Sequence, residues 1–202
     1  MRPIAAAGAG LALLLAVLAG APAAAQPRGS PEEAADERLR RVLAAVAGRP
    51  LQAVPFIERR VSALAAAPLE SRGTLTFQAG QIEKLTVSPV RERLAINAER
   101  VTIDAGDGRP PTVIRLESHG ALAGYGEGLR ALLAGNEKLL RQAFEVRFSG
   151  TFEHWKVQLL PKDAALRRGV RQITASGSGA QLRVIETSET GGDTLELTII
   201  PR

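Results

Sequence analysis

The chain has 202 residues, a formal net charge of +5 and no cysteine, which excludes disulfides, thiol nucleophiles and cysteine-metal sites. Aromatic residues make up 3% of it, too few to stack a single strand of nucleic acid, so no nucleic-acid partner is expected. The basic excess is modest and scattered, and reads as a solvated surface suited to anionic membranes or acidic partners.

The chain opens with a secretory leader. Arg2 supplies the positive start, Leu11 to Leu18 the apolar run, and Ala23-Ala24-Ala25 a small-residue cleavage site before Gln26. The run is short for a membrane span, which needs about 20 residues. Residues 1–25 are therefore expected to be removed near Ala25. Residues 26–202 are expected to form a single exported domain, large enough for a sizeable core.

A helix follows. Ser30 is its predicted N-cap, with Pro31 at the first position and Glu33 completing a capping box. Leu39, Val42, Leu43 and Val46 recur on one face, and Gly48 with Arg49-Pro50 ends it. That apolar face must dock on something.

After Pro50 the period changes to two. Leu75 and Phe77 alternate with polar neighbours, then Leu94 and Ile96, then Val101 and Ile103. Gly80, Pro89 and Gly106-Asp107-Gly108 punctuate the runs. This pattern predicts an antiparallel sheet with one apolar face.

Helical spacing returns at Gly120–Gly135, where Leu122, Tyr125, Leu129, Leu132 and Leu133 fall near one stripe. Leu139, Leu140 and Phe144 are expected to continue it. Glycines at 120, 124, 126 and 128 each cost about 1 kcal/mol relative to alanine in a helix, which points to a segment poorly committed to rigidity. Strands then resume. Val146, Phe148, Gly150 and Phe152 alternate with polar neighbours, and Trp155, Val157 and Leu159 follow up to Pro161. A strand at Ile173 and Ala175 is expected to stop at Ser176-Gly177-Ser178-Gly179. Leu182–Glu186 and Leu195–Ile199 form a last hairpin.

Chemistry-bearing motifs are sparse. The only histidines, His119 and His154, lack carboxylates at ligand spacing, and Gly106-Asp107-Gly108 lacks the ligand series of a calcium loop. Gly124-Tyr125-Gly126-Glu127-Gly128 has the wrong spacing and setting for a phosphate loop. No turn exposes a serine nucleophile. No metal, cofactor or catalytic residue is expected. An enzyme would have to use a pair such as Glu117 with His119.

The residues carrying a resemblance are Phe56 and Glu58, Pro68 to Phe77, Leu85 to Pro89 with Glu92, Trp155 to Pro161, and Gly192 to Leu197. In order and spacing they resemble the outer-membrane lipoprotein carrier family (LolA-like), in its LolA-related branch, from about Pro50 to Pro201. The resemblance implies an α+β fold, a half-open antiparallel β-barrel covered by helices, with an apolar interior for acyl chains. It implies a periplasmic carrier, monomeric and non-enzymatic. Its cargo would be an acylated lipoprotein or other lipid-like molecule, taken from an inner-membrane donor complex and passed to an outer-membrane acceptor. A start without a lipid-bearing cysteine implies the diffusing member of that relay. The expected cargo cavity is Leu75, Phe77, Leu94, Ile96, Phe148, Phe152 and Trp155. The expected lid is Leu122, Tyr125, Leu129, Leu132 and Leu133, with its glycines allowing motion. The best-known carriers latch the lid with an arginine after the Gly-x-Leu strand. Here the stretch is Phe77-Gln78-Ala79-Gly80, without arginine, which leaves Arg59, Arg60 and Arg72 as candidates for a substitute. The alternatives are an exported enzyme acting on lipid-like substrates and an envelope interaction protein filled by its own side chains.

Overall fold

A computed structural model of the chain describes residues 30–49, 51–62, 64–65 and 67–200. The predicted leader lies outside the described residues, as do Pro50 and the terminal Pro201 and Arg202.

The first helix, α1 (Pro31–Ala47), starts at its capping box. The Glu33 N–H donates to Ser30 Oγ at 3.1 Å, and the Ser30 N–H donates to Glu33 Oε2 at 2.7 Å. These bonds satisfy donors that the first turn leaves without partners. Leu39, Val42, Leu43 and Val46 form its buried face.

A meander follows: β1 (Val54–Val61), β2 (Leu69–Gln78), β3 (Gln81–Ser88), β4 (Glu92–Ile96), β5 (Arg100–Asp104) and β6 (Thr112–Arg115). A short 3-10 turn at Leu116–Ser118 leads into α2 (Gly120–Leu133) and α3 (Glu137–Ala143). A second meander is built from β7 (Phe144–Gly150), β8 (Trp155–Pro161), β9 (Val170–Ser178), β10 (Gln181–Glu189) and β11 (Thr194–Ile199), with the single-turn helix α4 (Ala164–Arg167) between β8 and β9. Pairing of β1 with β11 fuses the meanders into one antiparallel sheet of 11 strands, ordered β6-β5-β4-β3-β2-β1-β11-β10-β9-β8-β7. The sheet stays open: β6 and β7 stand at opposite edges. This is the antiparallel sheet expected from the alternation, in the half-open form that the resemblance implies.

The connection from β6 to β7 must pass from one edge of the sheet to the other, and it carries α2 and α3. That topology lays helix across one face. The residues that point to it follow from the register. Phe56 pairs with Gly73 and Ile199, Leu75 with Lys84, Lys84 with Leu94, and Ile82 with Ile96. Directly paired residues share a face, so these and their alternates line the covered side.

Several expectations are corrected. Phe144 does not extend the helical stripe. It is extended (φ −131°), pairs with Pro161 and opens β7, fully buried. β7 ends at Gly150, whose φ of +93° turns the chain toward His154, so Phe152 sits in the turn and not on a strand. β9 runs through Gly177 to Ser178. β1, β3, β6 and α4 are additions to the elements expected from sequence.

Three of the four glycines of α2 lie close against their neighbours. A Cβ on Gly128 would lie 2.5 Å from Phe144 Cε2, one on Gly126 3.0 Å from Ile96 Cγ2, and one on Gly124 3.1 Å from Leu166 Cδ2. The helix forms because it packs, overriding its weak propensity. The missing side chains let its backbone settle onto β4, β7 and α4.

A covered apolar cavity with a polar end

Between α2 and the sheet lies a cavity of about 160 Å³. From the sheet it is lined by Leu75, Ile82, Leu94, Ile96, Ile185 and Leu197. From the helix come Tyr125, Leu129 and Leu133, spaced by four residues so that they form one stripe. Its remaining lining is Leu195 with the polar groups Glu58, Lys84 and Thr187.

The expected residues divide. Leu75, Leu94 and Ile96 meet Tyr125, Leu129 and Leu133 around this cavity. Phe77 lines an adjoining groove of about 320 Å³ with Val46, Leu51, Val54, Leu182 and Ile199, and Arg49, Gln52 and Gln181 add polar groups to it. Leu133 lines both spaces and so stands between them. Leu132 is buried and Leu122 half-buried against the core, outside both linings. Phe148, Phe152 and Trp155 lie toward the other edge. Phe148 is half-buried opposite Val157 in the β7–β8 ladder. The Arg41 guanidinium sits 4.4 Å from the Phe152 ring centroid. Buried Trp155 donates its indole N–H to the Gly179 carbonyl at 2.9 Å.

The polar groups are those that composition and motif searching miss. Lys84 Nζ donates to both Glu58 oxygens at 2.8 Å, with side chains only 17% and 12% exposed. Ser71 Oγ donates to Glu58 Oε1 at 3.3 Å. The Tyr125 hydroxyl lies 3.2 Å from Thr187 Oγ1. Burial pushes the Tyr125 phenol above its ordinary pKa, against the hydrogen bond to Thr187 that lowers it, so the hydroxyl stays neutral at physiological pH. The signal for Glu58 and Lys84 is phase: each lies two residues from Phe56 or Ile82 on the same strand and so shares its face, placing charge on the apolar side.

The catalytic alternative finds no support at this cavity. The Glu117 carboxylate lies 3.9 Å from the Arg115 guanidinium with both side chains exposed. His119 Nδ1 is 3.0 Å from the Arg115 carbonyl. Neither Glu117 nor His119 lines the cavity. Among the described residues no cluster of three or more His, Cys, Asp or Glu could hold a metal ion, and no helix is long and apolar enough to cross a membrane.

A family model described as outer membrane lipoprotein carrier protein LolA-like matches residues 29–200. The chain belongs to the LolA-like family. Members share a fold that generally binds and carries lipid or lipoprotein without enzymatic activity, and they are typically periplasmic or extracellular. Among solved structures, a LolA superfamily protein from Nitrosomonas europaea is 9% identical at a TM-score of 0.46, over 83% of this chain and 91% of that one. LprF from Mycobacterium bovis is 14% identical at a TM-score of 0.37, over 85% and 94%. No curated protein matches the sequence.

Within this LolA-like chain, an arginine contact at the turn that lacks one of its own comes from α2. Arg130 of α2 donates from Nε to the Gly80 carbonyl at 2.7 Å, tying the helix to the β2–β3 turn. Two of the expected substitutes are engaged elsewhere: Arg60 with Glu189 and Asp193, and Arg72 with Glu70. A charge-assisted bond of this kind contributes about 1.5–3 kcal/mol. Arg130→Met is therefore expected to speed amide hydrogen exchange along α2 by roughly tenfold or more, while strands β8 and β9 exchange as before. Unchanged exchange in α2 would show that Arg130 does not hold the lid.

Proposed function

We propose that this protein is a periplasmic carrier, exported by its leader and monomeric, that shields the acyl chains of a lipoprotein or another lipid-like cargo on the way from an inner-membrane donor toward the outer membrane. The observation that carries this reading is the helix α2, laid over an apolar sheet face with space beneath it. The chain performs no chemistry on its cargo; it manages desolvation. Each methylene removed from water contributes about 0.8 kcal/mol, so a long acyl chain gains on the order of 10 kcal/mol before association costs.

The closed cavity is small. A cavity of about 150 Å³ accommodates a benzene, so the 160 Å³ here takes only a short piece of an acyl chain. Loading requires α2 to lift. Withdrawing Leu133 joins the cavity to the groove beside Phe77, and the two spaces then follow the strands from Glu58 toward Ile199. A carrier only equilibrates its cargo, so directional transfer comes from an acceptor of higher affinity.

Titration of the purified chain with a fluorescent acyl probe tests the reading. Saturable binding displaced by unlabelled acyl chains is expected, together with co-purified lipid detectable by mass spectrometry. Absence of saturable binding in the fully folded chain would overturn it.

A further inference from the structure

An ion pair is an odd occupant of the apolar face of a sheet. Removing two charges from water costs several kcal/mol per ion, and apolar replacements of buried pairs are often neutral or stabilising. Glu58 and Lys84 are thus poorly explained as a stabilising device. Their place relative to the empty space explains them better. Both line the cavity, with the Tyr125 and Thr187 hydroxyls beside them. Along β2 the covered face runs from Phe77 at the groove, through Leu75 at the cavity, to Ser71 against Glu58. Along β11 it runs from Ile199 at the groove, through Leu197, to Leu195 beside Arg60. The covered strands therefore have a direction, with apolar side chains toward Phe77 and Ile199 and polar ones toward Glu58, while Arg49, Gln52 and Gln181 also line the groove at the first end.

We propose that Glu58, Lys84, Tyr125 and Thr187 form a head-group site that selects amphiphiles with an uncharged, hydrogen-bonding head, the tail lying along the covered face toward Phe77 and Ile199. This rests on the carrier reading and names the cargo class of the same site. Lys84 and Glu58 offer donors and acceptors but cancel in charge, and an ammonium has more donors than one carboxylate engages. Tyr125 and Thr187 add neutral hydroxyls. At the polar end of the same face Arg60 is held by both Glu189 and Asp193, so that end offers no surplus cation to an anionic head; Arg49 lines the groove at the far end, beyond Leu133. A fatty-acid carboxylate would bring an unpaired charge against Glu58, whereas a glycerol ester or amide exchanges its water for the groups already there.

The experiment displaces a neutral apolar dye, N-phenyl-naphthylamine, from the full chain with ligands of one tail and two heads: monooleoylglycerol and oleate. Wild type is expected to prefer monooleoylglycerol by about tenfold or more, the ratio that one charge-assisted hydrogen bond decides. Glu58→Gln frees the Lys84 ammonium, and oleate should gain enough to erase or invert that preference. Lys84→Met leaves the carboxylate alone, and oleate should fall further behind. Thermal melting confirms that each variant is folded, and Tyr125→Phe, which keeps the ring, is a further probe expected to weaken monooleoylglycerol alone. If wild type binds dye and both ligands equally, and the variants do the same, the head-group site is wrong while the carrier reading stands. If folded wild type binds neither ligand, the carrier reading itself fails.

Discussion

A Leu75→Trp chain is expected to fold with an unchanged or higher melting temperature and to lose saturable acyl binding by more than about tenfold. Leu75 is buried in β2, and its side chain faces α2 across the cavity. The indole adds about the heavy-atom content of a benzene, which the 160 Å³ space accommodates. Filling a pre-existing void commonly stabilises by about 0.5–2 kcal/mol. On the carrier reading, the same ring occupies the space that an acyl chain takes up as α2 lifts. Stability and binding should therefore move in opposite directions, a combination that simple damage to the fold does not produce. Calorimetry and probe titration on the same preparation check it. Undiminished binding in a stabilised Leu75→Trp chain would show that cargo does not use this cavity.

The parts of the fold that could be read from sequence are those where local chemistry and tertiary packing agree. The capping box of Ser30 and Glu33, the stripe of Leu39, Val42, Leu43 and Val46, and the alternation around Leu75 and Leu94 are of this kind. Strand β1 was hidden because its covered-face positions read Phe56, Glu58, Arg60, an alternation that carries charge where apolar residues are expected. The glycines of β9 misled in a different way. A Cβ on Gly177 would lie 2.0 Å from the Gln181 carbonyl oxygen and 2.5 Å from Trp155 Cζ2, so Gly177 continues the strand where its neighbours leave no room for a side chain, and does not end it. Phe144 fits helical spacing by number but belongs to the strand, because its ring is needed beneath Gly128. The cavity lining was legible in the helical stripe of Tyr125, Leu129 and Leu133 and in Leu75, Leu94 and Ile96. Its polar end was not, since Glu58, Lys84 and Thr187 come from strands far apart in sequence and meet only through sheet register. In each case the local rule fails where the covered face has a particular object to accommodate.

Helix α2 offers the sharpest separation of packing from mobility, because its glycines should respond with opposite signs. Gly128→Val is expected to destabilise the chain by about 1–3 kcal/mol, the usual cost of overpacking. The new Cβ would sit 2.5 and 2.6 Å from Phe144 Cε2 and Cζ, and the ring, fully buried against β8, has little room to yield. Gly120→Ala meets nothing within 4 Å, so it should gain up to about 1 kcal/mol from restricting the unfolded chain. Gly126→Ala falls between, since its Cβ would make a single contact, 3.0 Å from the Cγ2 methyl of Ile96, which must give by a few tenths of an ångström. The functional consequence follows from where the strain is relieved. α2 is fixed at one end by Arg130 on Gly80 and runs over β4 and β7, so a side chain wedged at 128 lifts the stripe of Leu129 and Leu133 from the sheet. Acyl probe should then enter and leave Gly128→Val faster, by stopped-flow fluorescence, even as urea unfolding shifts to lower concentration. If the glycines served only to make the helix flexible, Gly120→Ala and Gly128→Val would both stiffen it and slow exchange of the probe. Opposite signs in stability, with faster exchange only for Gly128→Val, would establish that glycine sets how closely the lid seats.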